Sequence, residues 1–216
     1  MKKAPLSILL SMALSLGGYA QVNLFNGAYE ISSPPDFSNR RPLSGSPYLF
    51  ENKWVRAEVI SSDNKFLRND SILYNFDKAS QTLFLTLDRD KVVEVDKREY
   101  KSVTFYSYNS AYAFEHVYPI NNKDLFQVLI KSPDKYSLYK LTSTSLKDDE
   151  YIDTFVYYIL FPDKRFVRLH SPKIKFITRA FILREDSQKV EAYCSLHANE
   201  TSNENYLKDL IKYLNE

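Results

Sequence analysis

The chain has 216 residues, of which 29 are Lys or Arg, 27 are Asp or Glu and 15% are aromatic. Residues 1–20 contain two Lys and no acidic residue, so the rest of the chain balances 27 basic against 27 acidic residues. A neutral chain of this kind generates no broad electrostatic field, and we therefore do not expect nucleic acid as its partner.

The first 20 residues have the three parts of a secretory signal. Lys2 and Lys3 form a basic start, residues 6–16 form a short apolar run, and Gly18-Tyr19-Ala20 supplies small residues for cleavage after Ala20. The run is shorter than the ~20 residues of a membrane span, so no transmembrane anchor is expected. No Cys lies near the cleavage point, which argues against a lipoprotein. We expect an exported protein, periplasmic or secreted.

Residues 21–50 are predicted to form an irregular arm, because Ser32-Ser33-Pro34-Pro35 and Arg40-Arg41-Pro42 interrupt any hydrophobic period. Residues 51–216 are predicted to form a single α+β domain, with a sheet over residues 51–170 and helices over residues 171–216. The length suits one domain with one sizeable core.

Residues 51–170 show the period-two alternation of strands with two different faces. The runs are separated by polar breaks of hairpin length, with no helical pattern between them, so the expected fold is an antiparallel meander, as a sandwich or a half-barrel. Because Gly is nearly absent, we expect turns longer than two residues, of type I. The breaks are Ser61-Ser62-Asp63-Asn64, Asp77-Lys78-Ala79-Ser80, Asp88-Arg89-Asp90, Asn121-Asn122-Lys123, Ser132-Pro133-Asp134 and Pro162-Asp163-Lys164.

The strand over residues 154–161 is apolar on both faces, which is typical of a central strand covered on both sides. After Pro172 the period becomes 3.6 and predicts three short helices packed on one face or end of the sheet. A capping box of Thr201 and Glu204 is expected to start the last helix. The apolar stripes are Ile174, Ile177 and Phe181, then Val190, Cys194 and His197, then Leu207, Leu210, Ile211 and Leu214.

The segment Gly45-Ser46-Pro47-Tyr48-Leu49, the run from Trp54 to Val59, and Ser71-Ile72-Leu73-Tyr74-Asn75 resemble a group of uncharacterised exported bacterial proteins of Gram-negative type. Those proteins place a similar short segment after a signal peptide, continue with a strand-rich body and end in a helix similar to residues 206–215. The resemblance implies a bacterial protein that is exported to the periplasm or the envelope. It implies no activity, cofactor or catalytic residue.

One strand face carries Tyr112, Phe114, His116 and Tyr118, which makes these residues the candidate ligand-binding site. The alternative is a half-covered strand face that serves the core. Cys194 and His197 share a helix face, but a closed zinc site needs four ligands, so we predict no metal site and no cofactor. Glycine-dependent phosphate loops and nucleophile elbows are also missing, since no residue after Gly45 is Gly.

Aromatic residues are the main positive signal, and Tyr106 and Tyr108 follow one another on one strand face. Exposed Tyr side chains suit binding of a sugar or a partner chain, although Tyr and Phe also suit half-buried strands. The first hypothesis is a non-enzymatic envelope module that binds a partner protein or a surface polymer. The alternatives are a carrier of a small apolar ligand in a sheet-and-helix cavity, and a hydrolase of unrecognised type.

Overall fold

A computed structural model of the protein describes residues 28–30, 44–51 and 53–216. The predicted signal peptide and its cleavage point lie outside the described residues, as does most of the predicted arm. Two parts of that arm are described. Residues 28–30 form a strand, and residues 44–50 run against both sheets.

The described ranges contain twelve strands and three helices. The strands are β1 (Ala28–Glu30), β2 (Arg56–Ser61), β3 (Phe66–Arg68), β4 (Leu73–Asp77), β5 (Thr82–Thr86), β6 (Val92–Val95), β7 (Tyr100–Ser107), β8 (Ser110–Val117), β9 (Asn121–Ile130), β10 (Ser137–Lys147), β11 (Glu150–Leu160) and β12 (Phe166–Leu169). The helices are α1 (Ile174–Phe181), α2 (Ser187–Leu196) and α3 (Glu204–Asn215).

The strands form two sheets, in which all paired strands are antiparallel. A short sheet has the order β1-β6-β5-β4, and a long sheet has the order β12-β11-β10-β9-β8-β7-β2-β3. Strands β7 to β12 follow one another as neighbours, so most of the long sheet is a meander. The predicted α+β class, with an antiparallel sheet before three short helices, is therefore confirmed.

The short sheet and the helices lie side by side on the same face of the long sheet, which we call the inner face. The register places Phe114 of β8 opposite Gln127 of β9, and Gln127 opposite Lys140 of β10, so these three side chains share a face. Phe114 packs in the core against the short sheet, whereas Lys140 binds Glu204 of α3. The opposite side of the long sheet is its outer face.

Three main hydrophobic clusters follow from this arrangement. The first lies between the two sheets and includes Phe76 and Phe105, and the second lies between β9–β12 and the helices. The third is on the outer face, where Phe126 of β9 and Tyr158 of β11, the two strands that flank β10, meet edge to face at 5.3 Å. Strand β11 is thus an interior strand with apolar residues on both faces, as its composition predicts.

The helices dock through the predicted stripes. Ile177, Phe181 and Val190 are fully buried, and so are three of the four predicted α3 positions. Burial of an apolar side chain of this size contributes about 1.5–3 kcal/mol, which outweighs the marginal stability of isolated helices as short as these. The predicted capping box is wrong, because the cap of α3 is Asn203, whose side-chain oxygen accepts from the backbone N–H groups of Asn205 and Tyr206.

Several turns differ from expectation. Asp148 and Asp149 both have positive φ, 50° and 63°, and close a two-residue hairpin between Lys147 and Glu150, so the preference for longer turns is wrong there. The predicted break at Asn121 is also wrong. Asn121 instead begins β9, and its side-chain oxygen accepts from the backbone N–H groups of Lys123 and Asp124, which gives it the hydrogen-bonding role of a turn residue inside the strand.

Residues 44–49, which include the Gly-Ser-Pro-Tyr-Leu segment, connect the two sheets and form what we call the strap. Ser44 accepts a hydrogen bond from the backbone N–H of Tyr151 in the long sheet. Leu49 donates its N–H to the carbonyl of Phe76 in the short sheet. The strap therefore has a structural role in holding β4 and β11 at a fixed distance.

Candidate ligand-binding cleft

The four residues predicted as a ligand site do not share one environment. Phe114 is buried between Phe76 and Phe105, with ring centroids 5.8 Å and 5.7 Å away. Tyr112 packs against Phe50 at 5.8 Å. Tyr118 lies in the turn after β8 and is 71% exposed. The structure thus brings Tyr112 and Phe114 together in the core between the sheets and leaves Tyr118 outside it.

His116 occupies the end of the same strand face. Its Nδ1 lies 2.9 Å from the backbone oxygen of Asp124, which must accept, so Nδ1 carries the proton. Its ring lies 5.3 Å from that of Tyr100. Burial lowers the pKa of the imidazole, because the charged form loses its hydration. The surroundings of these residues are protein side chains, and their ligand-binding role stays a prediction.

A different surface has the geometry of a binding site. A cleft of about 520 Å³ opens where the β5–β6 hairpin and the start of β4 meet the start of β2 and the end of β7. We call it the aromatic–cationic cleft. Its lining residues are Lys53, Trp54, Val55, Arg56, Leu73, Arg89, Tyr106, Ser107 and Tyr108.

Both sheets contribute to this cleft. Arg56 of β2 is paired with Tyr106 of β7, so their side chains emerge side by side. Trp54 is half-buried and packs against a small core cluster beneath the strap. Arg89 stands in the β5–β6 hairpin, and Tyr108 follows the end of β7 in a two-residue hairpin. Residues distant in sequence therefore meet through sheet pairing.

Among its described residues, the lining carries three cations and no carboxylate. Among the residues that the structure describes, neither Arg56 nor Arg89 forms an ion pair. Lys53 donates from Nζ to the Tyr108 hydroxyl at 3.1 Å and lies 4.9 Å from the centre of that ring. An otherwise neutral chain thus concentrates positive charge at one aromatic site.

The exposed rings of the cleft are held in place. Tyr106 donates its hydroxyl to Glu58 at 2.6 Å, and Glu58 in turn accepts from Arg68 at 2.9 Å. The hydrogen bond to Glu58 raises the pKa of Tyr106, since it stabilises the protonated phenol. Tyr108 is 89% exposed and is oriented by Lys53. Lys53 thus lies over one face of the Tyr108 ring, the rest of that ring is exposed, and both hydroxyls are already bonded.

A second cleft, of about 350 Å³, lies between the β11–β12 turn and the α1–α2 connection. Two of the three acidic groups in its lining are already engaged. Asp163 accepts from Arg165 and Arg184, and Asp186 accepts from the Tyr136 hydroxyl. The hydrogen bond from Arg165 holds the pKa of Asp163 below its usual range. This arrangement resembles a structural ion-pair cluster more than a pair of acids poised for hydrolysis.

Within the described residues, no three His, Cys, Asp or Glu side chains are grouped so as to hold a metal ion. None of the helices there has the length and apolarity to cross a membrane. Cys194 is buried on α2, and His197 follows that helix and stacks on Tyr193 at 4.3 Å.

Comparison with family models, with curated proteins and with solved structures finds no match for this chain. The function must therefore be argued from the cleft itself. Sequence reasoning placed Tyr106 and Tyr108 on one strand face and left open whether they are exposed or half-buried. It missed Arg56 and Arg89, because a lone arginine in a strand or turn carries no local signal.

Proposed function

We propose that this protein is a non-enzymatic exported binding module and that it binds an anionic ligand in the aromatic–cationic cleft. The observation that carries the proposal is the set of three cations with no carboxylate in a lining that also presents exposed aromatic rings. Arg side chains bind carboxylates and sulfates through two parallel hydrogen bonds, which favours an anion here. Export rests on the signal-like residues 1–20.

The cleft also contains its own reporter, because Trp54 is the only Trp in the chain. Titration with anionic polymers, namely polyglutamate, dextran sulfate and oligogalacturonate, should change the intrinsic fluorescence saturably for at least one of them. The double variant Arg56→Glu with Arg89→Glu should lose that response, since it reverses two of the three charges.

The matched control is Lys147→Glu with Arg179→Glu, which makes the same change in net charge at two exposed positions outside the cleft. It should bind like the parent protein. Equal loss in both double variants, or no saturable response to any of the polyanions, would contradict the proposal. Circular dichroism of each variant checks that the sheet is intact.

A further inference from the structure

We infer that the ligand of the aromatic–cationic cleft is an acidic polysaccharide, a polymer of sugar rings that carry carboxylates. This inference rests on the proposed function and adds the chemical class of the ligand. The cleft places cations beside aromatic ring faces in one small space. Each residue of an acidic polysaccharide has one group that complements the cations and another that complements the rings. Its carboxylate matches the arginines, and the apolar C–H face of the ring matches Tyr106 and Tyr108.

The two exposed tyrosines are arranged as platforms. Their hydroxyls are bonded to Glu58 and Lys53, so each ring is oriented before a ligand arrives. A pre-oriented ring loses little side-chain entropy on binding, which favours its use as a stacking surface. Tyr106 is 42% exposed and Tyr108 is 89% exposed, so the faces are accessible.

Two residues of the cleft have a backbone conformation that is unusual for their side chains. Tyr108 has φ 51° and Arg89 has φ 69°, a region in which bulky L-residues are strained and Asn, Asp or Gly are easier. Of the described non-Gly residues with positive φ, these two line the same cleft.

An acidic peptide is a poorer match. A peptide that binds a sheet usually adds a strand to a free edge. The strands that line this cleft are already paired, since Arg56 lies opposite Tyr106 and Val55 is bridged to Tyr74. The cleft therefore offers side chains but no row of unpaired backbone groups.

Nucleic acid is also a poorer match. A nucleic acid carries one charge per nucleotide and is usually bound by an extended basic surface. Here the chain beyond residue 20 has equal numbers of acidic and basic residues, and the cations of the cleft number three. Three cations in one cleft do not form the extended basic surface that a nucleic-acid strand requires.

The test compares four probes by Trp54 fluorescence and calorimetry: oligogalacturonate, polyglutamate of equal carboxylate concentration, neutral dextran and single-stranded DNA. We expect oligogalacturonate to bind at least about tenfold tighter than polyglutamate, a difference that one ring-stacking contact can supply. Dextran should not bind measurably. Tyr108→Asn should weaken oligogalacturonate binding by about tenfold and leave the weak polyglutamate affinity unchanged.

Tyr118→Asn is the matched control, because Tyr118 is an exposed turn tyrosine outside the cleft. It should bind like the parent protein. Tyr106→Phe keeps the ring but loses the hydrogen bond to Glu58 that orients it, so it should weaken oligogalacturonate binding, by less than Tyr108→Asn does. Tyr108→Asn should unfold at or above the parent urea midpoint, because Asn adopts positive φ more easily than Tyr, and Tyr118→Asn should unfold near the parent midpoint.

The outcomes distinguish this inference from the proposed function. If polyglutamate binds as tightly as oligogalacturonate and Tyr108→Asn has no effect, the inference of a polysaccharide ligand is wrong, but the proposal of an anion-binding cleft is retained. Tightest binding of DNA would likewise overturn the inference. If none of the anionic probes binds, both proposals fail.

Discussion

Positive φ angles occur at several residues of this protein that have large side chains. Gln81 has φ 58° and donates its side-chain amide to the Thr142 carbonyl at 2.9 Å, which joins the two sheets. Tyr108 and Arg89 have similar backbone angles and line the aromatic–cationic cleft. Each such angle costs about 1–3 kcal/mol, which contacts elsewhere in the fold must offset.

His116 makes the stability of the fold depend on pH. Burial lowers the pKa of its imidazole, so the folded state holds the neutral form more strongly than the unfolded chain does. Protons therefore bind preferentially to the unfolded chain, and stability falls as the pH drops below the ordinary His pKa of about 6.5. The charged groups that face His116 are Lys97, which lowers its pKa further, and Asp124, which partly opposes this.

We therefore expect a lower urea midpoint at pH 5 than at pH 7.5, and a smaller difference between the two pH values in His116→Gln. The readout is the pH difference within each variant, so a general loss of stability in His116→Gln does not confuse it. His170→Gln, at an exposed position after β12, should keep the parent difference. An unchanged difference in His116→Gln would rule out this role for His116.

At the scale of elements, the strap depends on one glycine. Gly45 has φ 76°, and a Cβ at this position would lie 2.6 Å from the backbone oxygen of Tyr151. That oxygen is a backbone atom of β11, so it cannot move aside as the end of a flexible side chain could. An Ala here must both adopt a left-handed backbone and displace the strand.

Gly45→Ala should therefore lower the free energy of unfolding by about 2–4 kcal/mol, as measured by urea titration. Glu51→Ala, at an exposed position just after the strap, should change it by less than about 0.5 kcal/mol. Parent-like stability of Gly45→Ala would show that the strap moves freely against β11.

Strands and helices could be predicted where the periodicity of apolar residues defines them. Turns and caps were harder to predict where their residues are unusual for the conformation. The alternation at Val55, Ala57 and Val59 predicts β2, and the stripe at Leu207 and Leu210 predicts α3. The hairpin at Tyr108 was missed, because a tyrosine is not a residue expected at positive φ. The cap at Asn203 was missed because Thr201 and Glu204 offered a competing match to the capping box.

At the scale of the whole molecule, the sequence does not reveal which strands belong to which sheet. Alternation identifies the two faces of a strand but not its neighbour, so the division into a short and a long sheet depends on distant contacts. Gln81 and Thr142 are an example, and Asn75 is another, since its buried amide binds the backbone of Phe50 and Lys53. The cleft could not be predicted for the same reason, because Arg56 and Arg89 come together only when the two sheets pack.

An ion pair between the sheets joins Lys78 of the β4–β5 turn to Asp153 of β11. Lys78 donates from Nζ to both carboxylate oxygens at 2.9 Å and 2.7 Å, and Thr144 donates to one of them at 2.5 Å. The Lys78 side chain is only 11% exposed and that of Asp153 is 32% exposed. Removing the cation alone leaves a partly buried carboxylate without its counter-charge.

We expect Lys78→Met to lower the free energy of unfolding by about 1–3 kcal/mol, below the full cost of breaking a buried pair because Asp153 keeps some contact with water. The double variant Lys78→Met with Asp153→Leu should recover part of this loss, since no unpaired charge remains. Lys212→Met removes the partner of Asp209, where both side chains of the pair are more than half exposed, and should cost less than about 1 kcal/mol. A Lys78→Met variant no less stable than Lys212→Met would show that this ion pair does not stabilise the packing of the two sheets.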